Sequence, residues 1–226
     1  MSASIQDYYA ARAPEYDAVY LKPERQADLR AIEAWLPARF EQARLLEVAC
    51  GTGYWTRFLA PVAASVLAID AAPETLRIAE ARVADRNVRF QIGDAYALPA
   101  SEPRCDAAFA GFWFSHVPKA RTREFLAGLG AALEPGSTVV LLDNRFVAGS
   151  SSPVSERDAD GDTYQTRSLD DGSVHRVLKN FPSPAELLSC VEGLGQGARY
   201  EQWPYYWALQ YTTGGPADHA SPGVAP

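Results

Sequence analysis

The sequence predicts an α/β fold with a parallel sheet. Two observations carry it. Short apolar runs of five to eight residues alternate with helical stretches of ten to fifteen, and glycines close the first run where a strand turns into a helix. LLEVA (45–49) is that first run, ended by Gly51 and Gly53 and followed by helical 54–60. VLAID (66–70) is the second, with Pro73 opening a helix over 74–84. VRFQIGD (88–94), CDAAFAGF (105–112) and STVVLLDNR (137–145) follow, with helical 119–133 between the last two. Upstream, residues 4–20 read as a Tyr-rich helix interrupted by Pro14, and 24–36 as a second helix ending before Pro37. Downstream the rhythm breaks. Residues 146–174 are polar, and DDG at 170–172 predicts a hairpin between TYQTRSL and SVHRVLK. Ser183 caps a helix over 184–194 with Pro184 first, and RYEQWP and YYWALQYT predict two closing antiparallel strands.

Composition bounds the function. With 226 residues, 47% apolar and 22% charged, the chain has the size and composition of one large globular domain, or of one domain with an inserted cap, rather than of a disordered or spanning protein. A net charge of −7 gives no electrostatic footprint for nucleic acid. Cys50, Cys105 and Cys190 are too scattered for a disulfide framework or a metal site, so no metal is expected. Asp7 and Arg12 interrupt any secretory h-region, and no apolar run reaches membrane length. The expectation is a soluble cytoplasmic protein, monomer or homodimer, with a small-molecule substrate and neither a nucleic-acid nor a membrane partner.

The glycine loop specifies the ligand class. Glu47-Val48-Ala49-Cys50-Gly51-Thr52-Gly53 stands at the carboxyl end of the first strand, where open α/β sheets bind ligands. Asp70 ends the second strand, where a carboxylate can accept from both ribose hydroxyls, and Asp94 ends the third, within reach of an adenine amino group. A tight turn with helix-capping acids is the plainer alternative. A dinucleotide loop wants a third glycine, but Thr56 stands there, and no GKS or GKT follows. The loop suits S-adenosylmethionine, a ligand without phosphate, with Glu47 serving its ammonium. Tyr9 or Tyr16 of the N-terminal helix could close over the methionyl carboxylate, and Trp55 could touch the methionyl end. Ala71, Ala95 and Gly111 complete the expected cofactor set.

LLEVACGTG, VLAID and FQIGDA together make residues 45–145 resemble the Rossmann-like class I S-adenosylmethionine-dependent methyltransferases, with Ala49 replacing a customary glycine. YYAARAPEYDA, EVACGTGYWTRFLA, FWFSHVP and LDDGSVHRVLKNFPSPAEL further resemble the dehydrophos-pathway phosphonate O-methyltransferase and its relatives. The resemblance implies residues 1–212 as one domain: an N-terminal helical lid (1–40), a cofactor core (41–145), a small β-hairpin substrate cap (146–182) and a closing helix and strand pair (183–212). Residues 213–226 are expected to be a disordered tail.

The preferred acceptor is a phosphonate or carboxylate oxyanion, which needs no general base. The alternative is N-methylation of a small amine or heterocycle with His116 as base. The cap hairpin offers Arg167, Arg176 and Lys179, and Arg145 ends the fifth strand. Strand alternation puts Arg176 and Lys179 on opposite faces unless a bulge intervenes. His116, in FSHVP after the fourth strand, is the catalytic candidate, either as a donor orienting substrate or as a base. Tyr20 and Phe112 are expected to join the substrate wall, although Phe112 replaces a His of the relative.

Overall fold

The structure is a computed structural model and describes residues 13–214. Tyr9, the side chain of Tyr16 and most of the expected tail lie outside the described residues. Strands β1 (Arg44–Val48), β2 (Ser65–Asp70), β3 (Val88–Ile92), β4 (Cys105–Gly111) and β5 (Leu133–Asn144) pair in parallel, while β10 (Tyr206–Thr213) runs antiparallel between β5 and β9 (Gly195–Gln202). The seven-stranded order is β3-β2-β1-β4-β5-β10-β9. Chain order reverses between β1 and β4, and the carboxyl edge at such a switch point is where a doubly wound sheet leaves a crevice.

Both faces of this sheet are covered. Neighbouring strand residues therefore go to opposite cores: Leu45, Val140 and Leu142 to one, Leu46, Val139 and Leu141 to the other. One core takes Leu29 and Ile32 of α1 (Gln26–Trp35) and Leu59 of α2 (Thr56–Leu59), with Phe40 and Phe109. The other takes Phe125 and Leu129 of α4 (Thr122–Ala132), Leu187 of α5 (Pro184–Cys190) and Trp207. Helix α3 (Pro73–Arg82) follows β2 as expected.

Five elements depart from the sequence expectation. The helix expected over 54–60 is only α2, because Tyr54 and Trp55 are held in the loop by ring contacts. Strand β5 begins at Leu133, four residues before the expected start. The closing helix stops at Cys190, before Gly193 takes a φ of +73°. Thr213, assigned to the tail, is buried at the end of β10 and donates to Glu134 O. The cap is a three-stranded antiparallel sheet, β6 (Glu156–Arg157), β7 (Thr163–Ser168) and β8 (Val174–Leu178), rather than a bare hairpin. Ser183 does cap α5, in a reciprocal box with Glu186.

Candidate active site

The loop after β1 is built on three left-handed residues, Ala49 (φ +55°), Gly51 (φ +57°) and Gly53 (φ +74°). At Gly53 a Cβ would stand 3.0 Å from the Cβ of Ala79, so glycine there lets α3 pack directly on the loop. Glu47 is 1% exposed, and its Oε2 has no hydrogen-bond partner among the described residues. Burial pushes its pKa up to about 8, with the charge of Asp70 adding to the rise. A carboxyl so placed needs either a proton or a cation, which fits the ammonium of S-adenosylmethionine.

Asp70 is already engaged by its surroundings. Its Oδ2 accepts from Gly51 N (2.8 Å), and its Oδ1 from Ala72 N (2.9 Å) and Thr75 Oγ1 (3.0 Å). Burial raises its pKa while these donors oppose the rise. Any ribose would therefore share a carboxylate that already fixes the loop. Asp94 is exposed and accepts from Tyr96 N (2.9 Å); beside these two acids, Ala71 is exposed and Ala95 buried. At Gly111 a Cβ would meet the Phe109 ring at 2.9 Å and Trp55 at 3.0 Å, so this glycine is explained by ring packing.

Trp55 sits in an aromatic block beneath the loop. Tyr20 stacks on Tyr54 (centroids 3.5 Å) and faces Phe112 (5.7 Å), and Phe112 stacks on Tyr206 (5.5 Å). Tyr20 and Trp55, expected to touch ligands, are both buried in these contacts, and the Trp55 Nε1–H finds no partner among the described residues. Phe112 reaches the substrate side. It holds a φ of +61°, costly for a bulky residue, and its N–H donates to Leu142 O (2.7 Å). The 3-10 helix Ala13–Tyr20 is tied over the loop where Thr52 Oγ1 donates to Asp17 (2.6 Å).

Past the end of β5 lies a cavity of about 390 Å³ between the segment 18–25, the turn 150–152 and the cap. Its lining includes Lys22, Arg25, Arg167, Lys179 and His116 and, among the described residues, no Asp or Glu. The β7–β8 register pairs Arg167 with His175 and Thr166 with Arg176, which sorts the cap cations. Arg167 and Lys179 face inward. Arg176 faces outward, doubly bonded to Glu156 (2.8 and 2.9 Å) and stacked over Tyr164. Arg176 is therefore not part of a clamp, a correction that follows from strand alternation. Arg145 also departs from expectation. Its guanidinium donates to the carbonyls of Trp203 (2.8 Å) and Pro204 (3.2 Å), closing the β9–β10 turn instead of the cavity.

Lys179 is on the cavity wall but is not a bare charge. Its Nζ donates to Asp143 Oδ1 (3.0 Å) and Ser115 Oγ (2.5 Å), both fully buried. Burial works to raise the pKa of Asp143, but the Lys179 charge and the N–H donors of Ser115 and Asn144 outweigh it, so the carboxyl stays ionised. At His116, Nδ1 lies 2.6 Å from Leu178 O, a carbonyl that can only accept, so Nδ1 carries the proton and Nε2 the lone pair. Burial first, then Lys179 and Arg167, hold the His116 pKa well below its usual value. His116 is thus a neutral acceptor, not the donor that was one of its two expected roles.

Lys22 and Arg25 escaped the sequence analysis, as did Asp143 and Asn144. A signal existed: Lys22 and Arg25 flank the start of α1, the helix end that favours anions, and Asp143-Asn144 interrupts an apolar strand. Among the described residues, no helix is long and apolar enough to cross a membrane, and no group of three His, Cys, Asp or Glu is placed to hold a metal.

Comparisons with known proteins agree with this geometry. A methyltransferase domain family matches residues 45–136. The solved DhpI–SAH complex is 32% identical, with a TM-score of 0.76 over 92% of this chain and 95% of that one. The DhpI–SAM–HEP complex gives 30%, 0.76, 93% and 99%. The ubiquinone biosynthesis O-methyltransferase of Xanthomonas campestris pv. campestris is 29% identical over 87% of this chain and 80% of that protein.

Proposed function

The chain belongs to the class I S-adenosylmethionine-dependent methyltransferases and acts on small molecules, and from this premise we propose that its acceptor is an oxyanion, a phosphonate or carboxylate, which it converts to a methyl ester. The cavity lining carries this reading: among the described residues, four basic side chains and no acid, in a protein of net charge −7. An amine acceptor is protonated at neutral pH and would be repelled there.

When bound, S-adenosylmethionine supplies a methyl group activated by its sulfonium, which departs as a neutral thioether. Glu47, the loop at Gly51 and Gly53, and Asp70 and Asp94 would hold that cofactor. The remaining work is positioning. Arg167 and Lys179 draw the acceptor inward, and Phe112 forms the apolar wall that keeps water from the reacting oxygen. His116 stands on the cavity wall as a neutral imidazole and orients the acceptor by packing beside it. It is a poor base for an amine, because burial and two neighbouring cations disfavour its protonated form.

The test is turnover against pH, with methyl gain read by mass spectrometry on phosphonates, carboxylates and amines. An ionised acid gives a nearly flat profile between roughly pH 6.5 and 9, and His116→Ala lowers turnover about tenfold to a hundredfold without changing that shape. A steep rise through neutrality on an amine, abolished in His116→Ala, overturns the oxyanion in favour of N-methylation.

A further inference from the structure

Arg25 is the unusual charge in this molecule. It is 3% exposed, lines the cavity, and has no carboxylate within ion-pair distance among the described residues. Its partners are neutral: Nε donates to Ser150 Oγ (2.9 Å) and Nη1 to Asn144 Oδ1 (2.7 Å), and the guanidinium lies over the Tyr205 and Tyr206 rings. Lys22 meets it on the same wall, its Nζ bonded to the Ser150 carbonyl. Burial lowers the Lys22 pKa and the charge of Arg25 lowers it further; Glu24 opposes this, and Arg167 adds a smaller lowering. The carboxylate of Glu24 bonds Ser150 Oγ from the exposed side and does not line the cavity.

This wall is separate from the cap wall. Two consecutive residues at the end of β5 anchor the two arms: Asp143 takes Lys179, and Asn144 takes Arg25. The charge of Lys179 is already balanced by Asp143; among the described residues Lys22 and Arg25 have no carboxylate in the lining, and Glu24 acts on them only from the exposed side.

We propose that Lys22 and Arg25, braced on Ser150, form a second anion subsite, and that the acceptor carries two acidic groups: one that is methylated on the cap side and one that is held by this pair. The proposal rests on the oxyanion reading and specifies its substrate. There is a chemical reason for the division. Binding energy drawn from a group remote from the reacting oxygen can be used to orient that oxygen for the methyl transfer. The product would then be a monoester that keeps one free acid.

The probes are propylphosphonate as the monoacid and 3-phosphonopropionate as the diacid, with phosphonoacetate as a shorter diacid. Binding is measured calorimetrically in the presence of S-adenosylhomocysteine, and methyl gain by mass spectrometry. At least one diacid is expected to bind about tenfold to a hundredfold tighter than the monoacid, the worth of a charge-assisted bond. Arg25→Gln should bring that ratio close to unity. Because Arg25 is buried and its variant may not fold, Lys22→Gln, at a half-exposed position, is the second test and should at least halve the ratio. Equal affinity for mono- and diacids in the wild type overturns the second subsite and leaves the oxyanion reading intact. So does a ratio unchanged in folded Lys22→Gln. Methylation of amines with no binding of any acid overturns the oxyanion reading itself, and the subsite with it.

Discussion

The carboxyl edge of the sheet has two halves of opposite charge. At the ends of β1, β2 and β3 stand Glu47, Asp70 and Asp94, all acids, around a loop of left-handed residues. Beyond β5 stand Lys22, Arg25, Arg167 and Lys179, with no acid in the lining between them among the described residues. The first half suits a cofactor whose reactive end is cationic. The second suits an anion. The halves also differ in how their charges are held. Asp70 takes two donors from its own turn, Ala72 N and Thr75 Oγ1, and a third from Gly51 N, 19 residues upstream, whereas Lys179 is satisfied by Asp143 and Ser115, 36 and 64 residues away. Local chemistry makes the cofactor half; chain return makes the acceptor half.

The largest break in this comparison is expected at the Lys179–Asp143 pair. Lys179→Ala leaves a buried carboxylate uncompensated and should cost about 3–5 kcal/mol of stability, read by chemical denaturation. Lys179→Ala in an Asp143→Asn background, where no buried charge remains, should recover most of that loss while acceptor KM stays high. If KM recovers with stability, Lys179 is only structural.

On the cofactor half, Asp70→Ala should weaken S-adenosylhomocysteine by about 2–4 kcal/mol in titration calorimetry, since both a ligand contact and the loop brace at Gly51 N go. Acceptor affinity measured separately should move little, which is the sharpest check that the two halves are independent.

Glu47 gives a pH signature. Its folded-state pKa, about 8, lies above the ordinary carboxyl value, so the ligand-free fold binds a proton that the unfolded chain has lost. Its contribution is fully present below about pH 4 and is lost as pH rises through 8. The melting temperature of the free protein should fall over that window, and fall less in Glu47→Gln. Where an ammonium makes Glu47 ionise, binding at pH 7 should release close to one proton, seen as a dependence of the calorimetric enthalpy on buffer. No proton release would remove Glu47 from contact with the cationic group.

The smallest effect is expected at Ala49. A non-glycine residue at φ +55° costs about 1–2 kcal/mol, partly offset by the greater freedom of an unfolded glycine. Ala49→Gly should therefore raise stability by up to about 1 kcal/mol without changing acceptor affinity.

Much of this was legible in the residues themselves. Five apolar runs, the helices between them and the glycine loop follow from periodicity and turn chemistry, which act over a few residues. The cofactor acids were legible for the same reason, being strand ends. The cap register was legible too, since alternation along β8 alone separates Arg176 from Lys179. Tertiary structure decided which cations matter. Arg145 is turned away by carbonyls of a β9–β10 turn that lies some sixty residues on, and Arg25 is brought to Asn144 and Ser150 from more than a hundred residues upstream. His116 became an acceptor only because β8 presents the Leu178 carbonyl to its Nδ1. The physical reason is the same in each case: where a backbone turns is set by its neighbours in sequence, but where a long charged side chain finds its partner is set by which distant segments the packed core brings alongside it.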